Sequence, residues 1–503
     1  MIAEIKEITV GISATLRDVL VTLNNGRSGI ALVVDDQGVM QGLFTEGDVR
    51  KVLLKGASLS EAAQEYMNRQ FTAGSADKSR EENLALMSET ICLLPILDSQ
   101  GKPVDLISWP EIWRLPVMSP SLGGNEMKYV TDCIASNWIS SQGKYVTRFE
   151  EEFRSYVGSN HALCTSNGTT ALHLALVALG IKPGDEVLVP DLTFAAPANV
   201  VIHCGAKPIL VDVDRDTWTI DPNLITAKIT EKTKAIIPVH LYGHSCNMEP
   251  ILEIAKKHHL FVIEDCAEAL GAEYKNQKVG TLGDVGCFSF FANKVITTGE
   301  GGMVTTNDRN LYQKMMILRD HGMTKERRYW HLYPGFNYRM TNLQAAIGLA
   351  QIERIEKFLN YRQKVVERYH QQLSEIKGLT LPPDAEWGKN VYWLYSIILD
   401  QEKTGIDRNK LADRLASYGV DTRPFFYSLH IQPPYQEYAK GDYPVSTYLS
   451  EQGISLPTAN DISLKDVDRV CTLIKAIVSN SVSADLFQGE DNYTLPSESA
   501  NIA

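Results

Sequence analysis

A chain of 503 residues with 44% hydrophobic and 22% charged side chains exceeds what one ordinary core accommodates, so two to four domains are expected. Its net charge of −12 excludes nucleic acid or an anionic membrane as the main partner, so an anionic substrate must be met by local cations and helix N-termini. No apolar run reaches the roughly 18–20 residues a membrane span needs, and Met1–Glu7 lacks the charged and apolar regions of a signal peptide, which points to the cytoplasm. The eight cysteines show neither CxxC pairs nor a metal-ligand spacing; they read as reduced, mostly buried side chains, and no metal is expected.

Residues 1–117 repeat one plan twice. A helix-like stretch from Leu16 to Leu23 precedes the apolar run 29–35, a turn at Asp36-Gln37-Gly38, a strand from Met40 to Thr45 and a helix from Asp48. The second copy has Glu82 to Met87, Ile91 to Leu97, the turn Asp98-Ser99-Gln100-Gly101, Val104 to Ser108, and a start at Pro110-Glu111. This order resembles a CBS-domain pair. The resemblance implies that Thr45 and Asp48 contact the phosphate and ribose of a nucleotide, while Ser108 and Glu111 in the second copy depart from that pattern. Two readings stand side by side: sensing of an adenine nucleotide or nucleotide sugar, and a ligand-free packing or assembly module.

The Pro-, Ser- and Gly-rich segment 116–124 reads as a linker. Beyond it, apolar strands alternate with amphipathic helices: Ala162–Thr165, Glu186–Pro190, Pro208–Asp212, Ala235–His240, Phe261–Asp265, Val285–Phe290 and Gly302–Thr306. Most lack period-two alternation, as expected of a mainly parallel sheet covered on both faces. A long helical pattern, Thr341 to about Leu373, leads into a smaller α+β part. The expected divisions are a large domain over 118–355, a small domain over 356–482 and a disordered tail over 483–503.

Chemistry concentrates around Lys294, which an apolar strand (Phe288-Ser289-Phe290-Phe291) delivers ahead of the turn Gly299-Glu300-Gly301-Gly302. An arbitrary lysine is a solvated surface charge, but these neighbours make a poor surface. Asp265 closes an apolar strand at the end where ligands gather in such sheets, and Glu268 shares its side if the chain turns there. Gly168, Thr169 and Thr170 start a helix after a strand, suiting either a phosphate or ordinary capping. Phe194 follows another strand end and can lie against a ring or in a core. Asn337 and Arg339 supply an amide and a forked guanidinium before the long helix.

In this order the motifs resemble the DegT/DnrJ/EryC1/StrS family of pyridoxal phosphate (PLP) sugar aminotransferases over about residues 120–480. The resemblance implies a PLP type I aminotransferase fold, an α/β architecture with a mainly parallel sheet flanked by helices and a small α+β C-terminal domain. It further implies that Lys294 forms the Schiff base, Asp265 binds the pyridine nitrogen, Glu268 lies near the ring hydroxyl and Phe194 stacks on the ring. Gly168, Thr169 and Ser289 surround the phosphate, and the segment with Asn337 and Arg339 crosses between the subunits of a homodimer with shared active sites. Details such as Glu264-Asp265-Cys266-Ala267-Glu268, Arg328-Tyr329-Trp330 and Arg423-Pro424-Phe425-Phe426-Tyr427 are similar to the GDP-perosamine synthase branch, which most often lacks the CBS-like pair.

The activity so implied passes an amino group from L-glutamate, through pyridoxamine phosphate, to a nucleotide-linked 4-keto-6-deoxy sugar for a surface polysaccharide. Trp138, Tyr329, Arg423 and His430 are candidates for the sugar nucleotide, each balanced by a plain packing role. Amination at C3, or a UDP- or dTDP-linked sugar, remains open. A regulatory protein on a PLP-fold scaffold is the rival of another class, and intact Lys294, Asp265 and Ser289 weigh against it.

Overall fold

The computed structural model describes residues 5–26, 29–79, 82–83, 86–87, 91, 93–108 and 115–479. It divides into two compact units, one within Met1–Arg114 and one comprising Leu115–Asn480. The expected tail over 483–503 and the second-copy start at Pro110-Glu111 lie outside the described residues.

The N-terminal unit is a structural repeat. Strand β1 (Thr9–Gly11) runs parallel to β2 (Ile30–Val34), which pairs antiparallel with β3 (Met40–Thr45). β4 (Gly74–Ser75), β5 (Leu93–Leu97) and β6 (Pro103–Ser108) repeat that pattern. The hairpin turns match atom for atom: Asp35 Oδ1 accepts from Gln37 and Val39 N–H, and Asp98 Oδ1 accepts from Gln100 and Lys102 N–H. Such Asx turns explain why Asp opens both loops. The turns also meet, with Met40 N–H donating to the Gly101 carbonyl at 3.0 Å.

The larger unit is built on a seven-stranded sheet in the order β7-β15-β14-β11-β10-β8-β9. These are β7 (His161–Thr165), β8 (Glu186–Pro190), β9 (Lys207–Val211), β10 (Thr233–Ile236), β11 (Phe261–Asp265), β14 (Val285–Ser289) and β15 (Gly302–Thr306). β15 alone runs opposite to the other six strands of this sheet, antiparallel to both β14 and β7. β10 is shorter than the apolar run 235–240 because Pro238 has no N–H for the ladder; a lone bridge from Val239 to Asp265 carries the pairing on. Strand parity sorts β14. Val285 and Cys287 pack with the helix Gly168–Leu179, while Phe288 reaches the opposite core with Phe149, Phe153 and Phe290.

The expected single helix over 341–373 is two: Asn342–Ile352 and Ile355–Leu373. Thr341 and Gln344 form a capping box at the first start. At the break, the Glu353 carboxylate accepts from Asn125 Nδ2 and Tyr129 OH, both at 2.8 Å, and Arg354 pairs with Glu126. A hairpin of β12 (Glu273–Tyr274) and β13 (Gln277–Lys278) pairs with β17 (Gly388–Lys389). A four-stranded sheet, β16 (Leu379–Thr380), β18 (Tyr395–Leu399), β20 (Gly453–Leu456) and β19 (Arg423–Pro424), completes the unit.

The segment read as a linker is partly structural. Leu115 N–H donates to the Gly419 carbonyl, Asp421 N–H donates back to Leu115, and Val117 is buried with its carbonyl accepting from Thr458. The structure therefore puts the boundary between the units before Leu115, not after residue 117.

Candidate active site at the carboxyl edge of the central sheet

β11 carries two consecutive acids to opposite fates. Glu264 is fully buried and accepts N–H bonds from Gly280, Leu282 and Gly283 at 2.7–2.8 Å. His240 lies 3.1 Å from it; because His240 Nδ1 accepts from Cys246 N–H, its Nε2–H donates to Glu264. Cys266 completes a trio of ligand type, but Glu264 and His240 are already engaged within the fold. Asp265 is equally enclosed, yet among the described residues its carboxylate takes one hydrogen bond, from Ala267 N–H to Oδ1 at 3.0 Å. Burial pushes its carboxyl up, against the Ala267 hydrogen bond and the pull of Lys294.

Lys294 lies in a turn held by its own N–H to the Phe291 carbonyl and by Thr298 N–H to Phe290. Gly299, at φ 82°, takes the left-handed conformation that returns the chain to β15. The Lys294 amine points inward, 3.8 Å from Glu268 Oε1 and 3.7 Å from the centre of the Trp393 ring. Burial lowers its pKa, while Glu268 and Asp265 raise it. Glu268 also accepts Tyr242 N–H at 2.8 Å, and burial pushes its carboxyl up to about 7 despite Lys294 and that bond. The sequence candidates Lys294, Asp265 and Glu268 are thus one cluster, in which burial of the amine works against the attraction of its two acids.

Beside them, Asn167 and Thr170 cap the helix Gly168–Leu179 reciprocally. The N–H groups of Gly168 and Thr169 have no partner among the described residues, which is the arrangement that receives an anion. A Cβ on Gly168 would lie 2.8 Å from the Ser289 Cβ, so the loop needs glycine to sit this close to β14. Capping and anion reception are therefore compatible, with different residues serving each. A largely enclosed amine, an acid with one free oxygen and a helix N-terminus fit a pyridine aldehyde bearing a phosphate.

The outer candidates are more dispersed. Phe194 is 57% exposed, its ring 5.8 Å from Phe426. Arg339 is paired with Asp320 in its own chain, and Asn337 bridges the same Asp320 through the backbone. Trp138 and Tyr329 are exposed, the latter at φ 63°, and Arg423 is exposed on β19. His430 is oriented by the buried Asp191, which accepts from its Nδ1 at 2.7 Å and its backbone N–H at 2.8 Å. In the N-terminal unit, Thr45 and Asp48 form a capping box with each other. Sequence reasoning missed Trp393, Tyr242 and Asp191; the first lies a hundred residues from Lys294, and no local pattern links them.

A model of the DegT/DnrJ/EryC1/StrS aminotransferase family matches residues 120–475, and a CBS-domain model matches residues 2–55. A GDP-perosamine synthase of Caulobacter vibrioides is 49% identical over 366 residues, 73% of this chain and 98% of that protein. One of Escherichia coli O157:H7 is 46% identical over 73% of this chain and 99% of that protein. Among solved structures, the PLP-form of the putative sugar aminotransferase Spr1654 from Streptococcus pneumoniae is 29% identical with a TM-score of 0.69, covering 74% of this chain and 100% of that one. Helicobacter pylori PseC, an aminotransferase involved in pseudoaminic acid biosynthesis, is 28% identical with a TM-score of 0.70 over 73% and 100%. With its lysine, its two acids and its sheet edge in place, and with most of its length matched, this chain belongs to the DegT/DnrJ/EryC1/StrS aminotransferase family, with a CBS domain at its N-terminus.

Proposed function

We propose that this protein is a PLP-dependent sugar aminotransferase that moves the amino group of L-glutamate to C4 of a GDP-linked 4-keto-6-deoxy sugar, forming GDP-perosamine in the cytoplasm for a surface polysaccharide. The observation that carries the reading is the enclosed Lys294 amine facing Glu268 beside Asp265, in a chain 49% identical to a GDP-perosamine synthase. The bound cofactor supplies an electron sink for the carbanion formed at the amino-bearing carbon.

This chain's residues do the rest. Asp265 keeps the ring nitrogen protonated, and its enclosure strengthens that pairing. Lys294 holds the cofactor and, once released, accepts the substrate proton at Nζ and returns it; burial, which lowers its pKa, favours the neutral form this requires. Glu268 serves the ring hydroxyl, Phe194 covers the ring, and Gly168, Thr169 and Ser289 receive the phosphate. Trp138, Tyr329, Arg423 and His430 receive the sugar nucleotide.

A homodimer with shared sites completes the reading. Exposed Trp138 and Ile139, and exposed Tyr329, Trp330 and Leu332, support a second copy covering these apolar side chains, with the segment of Asn337 and Arg339 facing the partner. The N-terminal unit serves regulation through an adenine nucleotide at Thr45 and Asp48, whose Oδ2 the Thr45 hydroxyl and N–H already fix.

Borohydride reduction of the holoenzyme followed by peptide mapping is expected to tag Lys294, and a tag elsewhere rejects the reading. A panel of nucleotide-linked keto sugars with glutamate as donor should give its largest product signal with the GDP-linked 4-keto sugar; a preference for a UDP- or dTDP-linked sugar would move the assignment.

A further inference from the structure

Three backbone and ring contacts converge on Lys294 from a part of the chain that carries none of the recognised motif. The Trp393 ring lies under the amine, with Nζ 3.7 Å from its centre. Its indole N–H donates to the Asn293 carbonyl at 2.7 Å, immediately before the lysine. Immediately after it, the Val295 carbonyl accepts from Asn460 Nδ2 at 2.9 Å. Lys294 is therefore gripped on both sides and underneath by residues about 100 and 166 positions away.

Both gripping residues hang on one buried cation. Arg362 is 1% exposed and pairs with no carboxylate among the described residues. Its Nη1 donates to the carbonyls of Tyr392, Trp393 and Thr458 at 3.1, 2.9 and 2.7 Å, and its Nη2 donates to Asn460 Oδ1. Holding a buried guanidinium on neutral carbonyls is costly for the fold, so its position calls for a return elsewhere. Strain gathers at the same point. Tyr392 and Tyr242 both adopt left-handed conformations, φ 46° and 51°, and a Cβ on Gly243 would strike the backbone nitrogens of Tyr392 and Trp393 at 2.7 Å. Strained non-glycine residues of this kind persist where the surroundings over-determine them, characteristically at working sites.

We propose that Trp393 is a positioning residue for the Lys294 amine, its ring face favouring the ammonium form and its N–H fixing the turn, with Arg362 as the buried anchor that holds Trp393 and Asn460 in place. This rests on Lys294 being the reactive amine. The charged groups facing that amine are Glu268 and Asp265; Trp393 adds an uncharged attraction that acts on the protonated form alone.

The test separates this contact from the assignment of Lys294. In full-length protein freed of cofactor, the rate of Lys294 acetylation against pH, read by mass spectrometry, reports the neutral fraction of the amine. Trp393→Leu should raise that rate about five-fold near pH 7. Fluorinated tryptophans at position 393 keep the shape and weaken the ring face, so the acetylation curve should move to lower pH with each fluorine. Arg362→Lys should broaden the titration and raise the rate less than Trp393→Leu does. A curve that stays put across the fluorinated series overturns the proposal, even where Trp393→Leu fails to fold. Failure of borohydride to tag Lys294 in the unaltered holoenzyme would instead strike the parent reading, since the acetylation curve does not depend on cofactor.

Discussion

At Asp265 one backbone N–H meets the carboxylate, whereas Glu264, a residue earlier on β11, takes three. That difference leaves Asp265, not Glu264, with a carboxylate oxygen that takes no hydrogen bond among the described residues. Asp265→Asn should lower turnover by about 10²–10³-fold while leaving the melting temperature nearly unchanged, since an amide cannot keep a pyridine nitrogen charged. Lys294→Ala should lower transamination by at least about 10³-fold in a protein with native circular dichroism. Glu268 carries a pH signature. Its carboxyl is raised from 4.5 to about 7, so between those values the folded chain keeps a proton that the unfolded chain releases. Stability therefore falls as pH rises through that window, and the penalty is complete above it. Glu268→Gln should remove this slope, gaining at most about 3 kcal/mol at pH 8 relative to pH 4 in denaturant melts of cofactor-free protein.

Strands and helices bring these residues together, and the legible ones announced themselves by where they fall on an element. Asp265 ends an apolar strand, Gly168 opens a helix, and Lys294 follows the strand that carries Phe288, all within local sequence. What could not be read was set by tertiary contact. The antiparallel sense of β15 looks like any other buried run, and the helix break at Glu353 and Arg354 comes from side chains of residues 125–129. Trp393 sits in an aromatic stretch, Val391 to Tyr395, whose composition says core and nothing about an amine. Gly168→Ala tests the close approach of helix to strand: its Cβ meets Ser289, and cofactor affinity should drop about ten-fold by equilibrium titration, at a stability cost of about 1–3 kcal/mol. On the opposite face, Phe153→Ala empties a cluster whose rings lie 4.9–6.0 Å from Phe288, Phe290 and Phe149. It should cost about 3–5 kcal/mol in a chemical melt.

At the scale of the molecule, the repeat in the N-terminal unit was visible as two copies of one strand-turn-strand plan, and the paired Asx turns at Asp35 and Asp98 bear out that duplication. The edge of the catalytic unit was less visible, because the segment after residue 115 has the composition of a connector. Leu115 bridges Val420, and the backbone at Asp421 lies two residues before Arg423. A variant beginning at Leu115 should keep the basal activity of the full chain and a similar melting point. One beginning at residue 118 should melt several degrees lower, having lost two backbone bonds at Leu115, the Thr458 bond to Val117 and that buried side chain. The entering chain is thus stitched by a lone bridge to Val420, just ahead of the strand that carries a substrate candidate; any protein engineer grafting another module in front of this enzyme must keep those stitches and splice upstream of them.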